Sequence, residues 1–210
     1  VYRALDRRLD RHVALKIVHP HHLKSQQILS RFLKEADITA KLDHPNIIPI
    51  YEMGIRHDHR PFFTMKEVKG ATLDELIQAV HSVSTETGWG TTEQGWNLRG
   101  LLRVFKQVCE AVGYAHSQHI IHRDLKPKNI IIGGHGEVLV VDWGLAKRLR
   151  KETPQNKHLS IGTTDSAPNM QDQIIGTPGY MSPEQLTQPN EIDETSDVYS
   201  LGTILYEILA

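Results

Sequence analysis

His122-Arg123-Asp124-Leu125-Lys126-Pro127-Lys128-Asn129 is the stretch on which the reading of this chain turns. An Asp and an Asn on one short loop can accept the proton of a hydroxyl and hold a divalent cation, two needs of phosphoryl transfer. Just downstream, the branched runs 130–132 and 138–141 flank Gly133-Gly134-His135-Gly136, which predicts a β-hairpin. Asp142-Trp143-Gly144 follows, so the hairpin returns a second carboxylate to the side of the first loop. Either piece alone reads as a polar turn. Both in this order, bridged by a hairpin, read as a site.

Upstream, Val13-Ala14-Leu15-Lys16 puts a lysine at the end of a strand-like run. On its own such a lysine is most simply solvated, but here it could grip phosphates. Further strands are predicted over 47–51 and 62–68. Between the Val13 run and the 47–51 run Ile28, Leu29, Phe32 and Ala36 recur at helix spacing, and Glu35 on that helix is the acid that could pair with Lys16. After Gly70 the pattern turns helical. Thr72 can cap a helix through Ile77, the polar stretch 82–97 reads as a surface insertion, and Leu98 to Ala115 steps at threes and fours. Cys109 falls beside Phe105, Val108 and Val112 on that helix and reads as core. A last helix is predicted from near Val198.

Composition narrows the class. The 210 residues are 39% apolar and 23% charged, as in a globular domain. A net charge of −1 supplies no field that would favour nucleic acid or an anionic membrane. One cysteine excludes an intrachain disulfide and fits a reducing compartment. No apolar run reaches the roughly 20 residues that span a bilayer. There is no signal peptide, and Val1 rather than Met opens the chain, so the true N-terminus is expected to lie upstream.

The chain resembles the eukaryotic-type serine/threonine protein kinases, and most of all their bacterial members, over nearly its whole length. The motifs that carry the resemblance run in order: Val13 to Lys16, Glu35, His122 to Asn129 and Asp142-Trp143-Gly144. They continue with Gly176-Thr177-Pro178-Gly179-Tyr180-Met181-Ser182-Pro183-Glu184 and Asp197-Val198-Tyr199-Ser200-Leu201-Gly202. The resemblance implies a two-lobed α+β fold: residues 1–68 form a small β-sheet lobe with one helix, and 69–210 a mainly helical lobe. It also implies truncation at both ends, since the family's Gly-rich phosphate loop would precede Val1 and its last helices would follow Ala210. Gly88, Gly90 and Gly95 have the wrong spacing to replace that loop.

Carried over residue by residue, the resemblance implies ATP and Mg²⁺ as cofactors and Ser/Thr-bearing proteins as substrates. Lys16 would hold ATP phosphates and Glu35 would anchor Lys16. Met65 would back the adenine pocket, the Lys66 and Val68 backbone would bond the adenine edge, and Val1 and Ala14 would pack on its face. Asp124 would take the acceptor's proton, Lys126 would neutralise the transferring group, and Asn129 and Asp142 would bind Mg²⁺. Lys126 with Thr177 is the serine/threonine variant of the pattern. Arg123 implies control by phosphorylation, with Ser160, Thr163, Thr164 and Ser166 as the candidate acceptors. A cytoplasmic location, or the cytoplasmic face of a membrane, follows for such an enzyme.

Two features depart from the pattern. Thr39 stands where the family often packs a larger apolar residue toward the metal-motif aromatic, and the Arg with which Glu184 ordinarily pairs in the family is expected to lie beyond Ala210. His19, His21, His22, His57 and His59 cluster along the sequence without a cysteine or paired ligand spacing and read as solvated loop residues. A binding module that keeps the fold without the chemistry is a rival reading, countered by the presence of Lys16, Asp124, Asn129 and Asp142. A small-molecule phosphotransferase of similar fold is another, countered by the 176–184 segment.

Overall fold

The computed structural model describes residues 1–149, 176–188 and 191–210. β1 (Tyr2–Asp6), β2 (Arg11–Ile17), β3 (Ile50–Ile55) and β4 (Pro61–Lys66) form an antiparallel sheet in the order β1-β2-β4-β3. Its register sets Ala14 opposite Met65 and Lys16 opposite Phe63. With a period of two, those four side chains share one face. The sequence reading has no strand before Val13. β1 forms because the Asp6 carboxylate accepts from the Arg8 and Leu9 amides (3.1 and 3.3 Å), closing a tight turn into β2.

α1 (Gln26–Ala40) begins where Ser25 Oγ accepts from Ile28 N. Its buried stripe meets the sheet through Phe32 and Ala36, which pack with Val18 and Phe63 in a small core; the Phe32 and Phe63 rings are 5.0 Å apart. The strand predicted over 47–51 starts three residues later. Ile47 instead pairs singly with Val140, whose amide donates to Asn46 O at 2.8 Å, and its side chain is buried in a second, larger core. A branched apolar run serves a buried connection as well as a strand.

That larger core takes in Ile38, Leu42 and Ile47 but belongs mainly to the second lobe. It is built from β5 (Gly70–Thr72), α2 (Leu73–Ser82), α3 (Leu98–Ser117), β6 (Ile120–Ile121), β7 (Ile130–Gly133), β8 (Val138–Val140), β9 (Lys147–Arg148), α4 (Pro183–Thr187) and α5 (Glu194–Leu209). β5-β7-β8 make one sheet and β6-β9 another. At Gly70 a Cβ would lie 1.8 Å from the Ile132 carbonyl, so β5 can approach β7 only without a side chain there. Thr72 and Glu75 cap α2 reciprocally.

On α3, Leu101, Val104, Val108, Ala111, Val112 and Ala115 are buried against Ile130, Val140, Ile204 and Ile208. Trimming fully buried Leu101 to Ala costs about 2–5 kcal/mol. Cys109, expected in the core, is only half-buried at the edge of this stripe. α5 starts four residues before the expected point because Asp193 Oδ1 accepts from Thr195 N at 2.9 Å. The 82–97 stretch is a built loop: Thr85 and Gly88 exchange backbone hydrogen bonds and Trp96 packs on the large core. The architecture is the two-lobed α+β arrangement expected.

Candidate active site

The His122–Asn129 loop is held from below by one buried carboxylate. Asp197, in the first turn of α5, accepts from His122 N (2.8 Å), Arg123 N (2.9 Å) and the His116 ring (2.9 Å), and is 1% exposed. Burial pushes that carboxyl up; the His116 hydrogen bond, the nearby His122 and the two backbone amides outweigh it and hold it below the ordinary Asp value. The His122 ring, fully buried and 4.6 Å from that of Trp143, accepts from Asp124 N, so its Nε2–H donates to Val141 O (3.2 Å). The loop and the 142–144 segment are thereby fixed to each other. The sequence reading included Asp197 in a motif but gave it no part in the site.

Asp124 is nearly buried and fully engaged. Its Oδ2 accepts from Lys126 Nζ at 2.8 Å, and its Oδ1 from Thr177 Oγ1 at 2.8 Å. Lys126 Nζ also donates to Thr177 Oγ1 (2.6 Å), and Asn129 Nδ2 donates to the Asp124 carbonyl (2.8 Å). Thr177 is positioned in turn by Tyr180, whose amide donates to Thr177 O and whose hydroxyl donates to both Glu207 carboxylate oxygens (2.7 and 2.8 Å). Glu184 Oε1 accepts from Ser196 Oγ at 2.8 Å, tying α4 to α5.

Across the cleft, Lys16 Nζ lies 2.5 Å from Glu35 Oε1 and 3.9 Å from Asp142 Oδ1. Burial raises the Glu35 carboxyl above its ordinary value, Lys16 opposes the shift, and Asp142 adds to it. Asp142 takes the left-handed conformation (φ 65°), which swings its carboxylate toward Lys16. At Gly144 a Cβ would stand 3.2 Å from Glu35 Oε2, so glycine lets α1 come this close.

Val1, Ala14, Lys16, Glu35, Met65, Lys66, Val68, Asn129 and Asp142 all line a single cavity of about 370 Å³. Thr39, Ile48, Ile50, Phe63, Ile131 and Val141 complete it and were not named from the sequence as pocket residues. Asp124, Lys126 and Thr177 stand together outside that lining. The residues suit Mg²⁺: Asn129 uses its amide N–H on Asp124, which leaves its oxygen, and Asp142 offers a half-exposed carboxylate on the same cavity. Mg²⁺ commonly takes one or two such oxygens, completing its shell with phosphates and water. Among the described residues no group of three or more His, Cys, Asp or Glu is placed to hold a metal, the five loop histidines included.

Arg123 (φ 71°) lies outside the cavity lining, with Asp197, Arg31, Lys34 and Lys147 near it. Its Nε is buried without a hydrogen-bond partner among the described residues. Burial lowers the Arg123 guanidinium, Asp197 opposes this, and Arg31 adds to it. Lys34 and Lys147 are likewise lowered by burial first and by Arg123 second. Ser160, Thr163, Thr164 and Ser166 lie outside the described residues.

A family model described as the protein kinase domain matches residues 1–210. The chain belongs to the protein kinase family. It is similar to the serine/threonine-protein kinase PknD of Protochlamydia amoebophila, 42% identical over 216 aligned positions that cover 100% of this chain and 21% of that protein. Proteins of the same name from Chlamydia muridarum and Chlamydia felis are each 36% identical, covering 100% of this chain and 23% and 22% of their own lengths. The chain thus spans about a fifth of the length of the curated relatives it matches. Among the described residues no helix is long and apolar enough to cross a membrane.

Proposed function

We propose that this chain transfers the γ-phosphoryl group of ATP to serine or threonine hydroxyls of proteins, with Asp124 as the base. The observation that supports this most is the convergence of Asp124, Lys126, Asn129 and Thr177 beside a cavity that ends in Lys16, Glu35 and Asp142. On this reading residues 1–68 cover the nucleotide and 69–210 present the acceptor. Adenine lies between Val1, Ala14 and Met65, bonded by the backbone of Lys66 and Val68, and Lys16 reaches its phosphates. The acceptor oxygen attacks the γ-phosphorus as its proton passes to Asp124. The bond from that phosphorus to its bridging oxygen breaks, and ADP leaves with the electron pair. Lys126 offsets charge on the moving group. Asn129 and Asp142 would hold Mg²⁺, which when bound neutralises charge spread over phosphate oxygens. The names of the relatives support protein rather than small-molecule acceptors, and ATP as donor supports a cytoplasmic location.

The test is transfer of labelled phosphate from ATP to generic protein substrates and, in parallel, to aminoglycosides. Labelling of protein is expected. Asp124→Asn should lower it on the order of 10²–10⁴-fold while ATP still binds. Labelled aminoglycoside alone, or near-normal activity of Asp124→Asn, would overturn the assignment.

Arg123 supports a regulatory part of the same proposal. A phosphate on Ser160, Thr163, Thr164 or Ser166 would give Arg123 Nε, which has no hydrogen-bond partner among the described residues, an acceptor, and would add negative charge beside Lys34 and Lys147. Mass spectrometry of active protein should find phosphate there, and Arg123→Ala should remove the activation it brings.

A further inference from the structure

Lys66 and Glu67 are consecutive and reach in opposite directions. Glu67 Oε1 lies 2.7 Å from Arg3 Nε on β1, while Lys66 Nζ lies 3.3 Å from Glu137 Oε1 on the turn between β7 and β8. The two strands joined in this way face each other across the cavity. Val1, just before β1, and Ile131, on β7, both line it, and so do Lys66 and Val68 on either side of Glu67. Glu137 is itself steadied, because its other carboxylate oxygen accepts from His135 N at 3.2 Å.

We propose that Arg3, Glu67, Lys66 and Glu137 form an electrostatic brace across the connection between the lobes, setting how far β1 stands from the β7–β8 hairpin and so how tightly nucleotide is held. This rests on the reading of the cavity as the ATP site. The four are positioning residues: each ion pair holds a strand, and none of the four charged groups is needed to touch the reacting atoms. Independently of these ion pairs, Val140 N donates to Asn46 O (2.8 Å) and Ile48 N donates to Val140 O (3.3 Å), so the lobes stay joined if the brace is lost. What changes is the fraction of molecules with the cavity at binding spacing, and apparent affinity scales with that fraction.

The Arg3 and Glu67 side chains are 52% and 19% exposed, and those of Lys66 and Glu137 are 36% and 27% exposed. Partly exposed pairs of this kind are individually weak and screened by salt, so each should change ATP affinity roughly two- to fivefold.

The experiment is calorimetric titration of the full-length protein with Mg·ATP, alongside steady-state kinetics. Arg3→Gln and Glu137→Gln should each raise Kd and KM for ATP roughly two- to fivefold with kcat unchanged. Arg3→Lys should stay close to the starting protein, and the swap Arg3→Glu with Glu67→Arg should restore affinity. Single variants that bind as the starting protein does, a fall in kcat at constant KM, or a swap that restores nothing would each overturn the brace. Starting protein that fails to bind ATP at all would overturn instead the reading of the cavity.

Discussion

The Thr177 hydroxyl donates to Asp124 Oδ1 at 2.8 Å, across 53 residues of chain, while accepting from Lys126 Nζ at 2.6 Å. One side-chain oxygen thus sets the orientation of both Asp124 and Lys126. Its own place depends on Tyr180, which Glu207 of α5 holds by its hydroxyl. The loop geometry is therefore fixed from two distant parts of the chain, α5 through Asp197 and the 176–180 turn through Thr177.

Thr177→Ala should lower phosphate transfer roughly ten- to a hundredfold, the range for losing hydrogen bonds to charged groups. Thr177→Ser should recover most of it, and ATP affinity should not move, since Thr177 lies outside the cavity lining. Titration calorimetry with turnover measurements on the three proteins checks this. Equal losses in the Ser and Ala variants would show that the hydroxyl is not what matters.

Glu35 gives a pH signature with two opposite trends. Its folded-state carboxyl titrates above the ordinary Glu value because it is buried. On acidification the ion pair with Lys16 is therefore lost at a higher pH than an exposed glutamate would allow, and ATP affinity should fall there. Stability goes the other way. A raised carboxyl contributes stability fully below the unfolded value, and that contribution is lost as pH rises through the folded one. Glu35→Gln should flatten both trends; binding and denaturation curves between mildly acidic and neutral pH decide it.

Much of this was legible because it is local. The 122–129 loop, the hairpin and Asp142 are contiguous, and each residue type declares its chemistry at short range. Lys16 and Glu35, which meet across 19 residues, were legible only beside the downstream motifs, since a lysine ending a strand is by itself most simply solvated. The grip of Asp197 on His122 N spans 75 residues and leaves no local pattern, and neither does Tyr180 on Glu207. Ile47 was misplaced because burial, not strand pairing, explains its apolar character. β1 was missed because its turn is rich in charge, and the carboxylate that closes it looks like a surface residue.

Asp197 should prove costly to alter. Asn there sets an N–H₂ against the donors now satisfied by carboxylate oxygens, a loss of about 1–3 kcal/mol for each buried group left unpaired. The folded carboxyl is depressed, so its contribution is present above the ordinary Asp value and is lost as pH falls through the folded one. Denaturant melts of Asp197→Asn should show a lower midpoint at neutral pH and a smaller gap from the starting protein in strong acid. Equal midpoints at neutral pH would mean that the three hydrogen bonds carry no net stability.

Metal dependence separates the two oxygen donors of the cavity. Asp142 is a carboxylate whose approach to Lys16, at 3.9 Å, leaves it half exposed, whereas Asn129 is neutral, 6% exposed and already bonded to Asp124 through its amide. Electrostatic attraction for a divalent ion should therefore rest mainly on Asp142. Removing Mg²⁺ with chelator should weaken ATP binding in the starting protein and in Asn129→Ala. In Asp142→Ala affinity should be low at the outset and nearly indifferent to chelator. Transfer should fall in both variants, because phosphoryl transfer depends on charge neutralisation at the phosphate oxygens. ATP titrations with and without chelator on the three proteins make the comparison. An Asp142→Ala protein whose ATP affinity still drops on chelation would place the metal-holding carboxylate elsewhere.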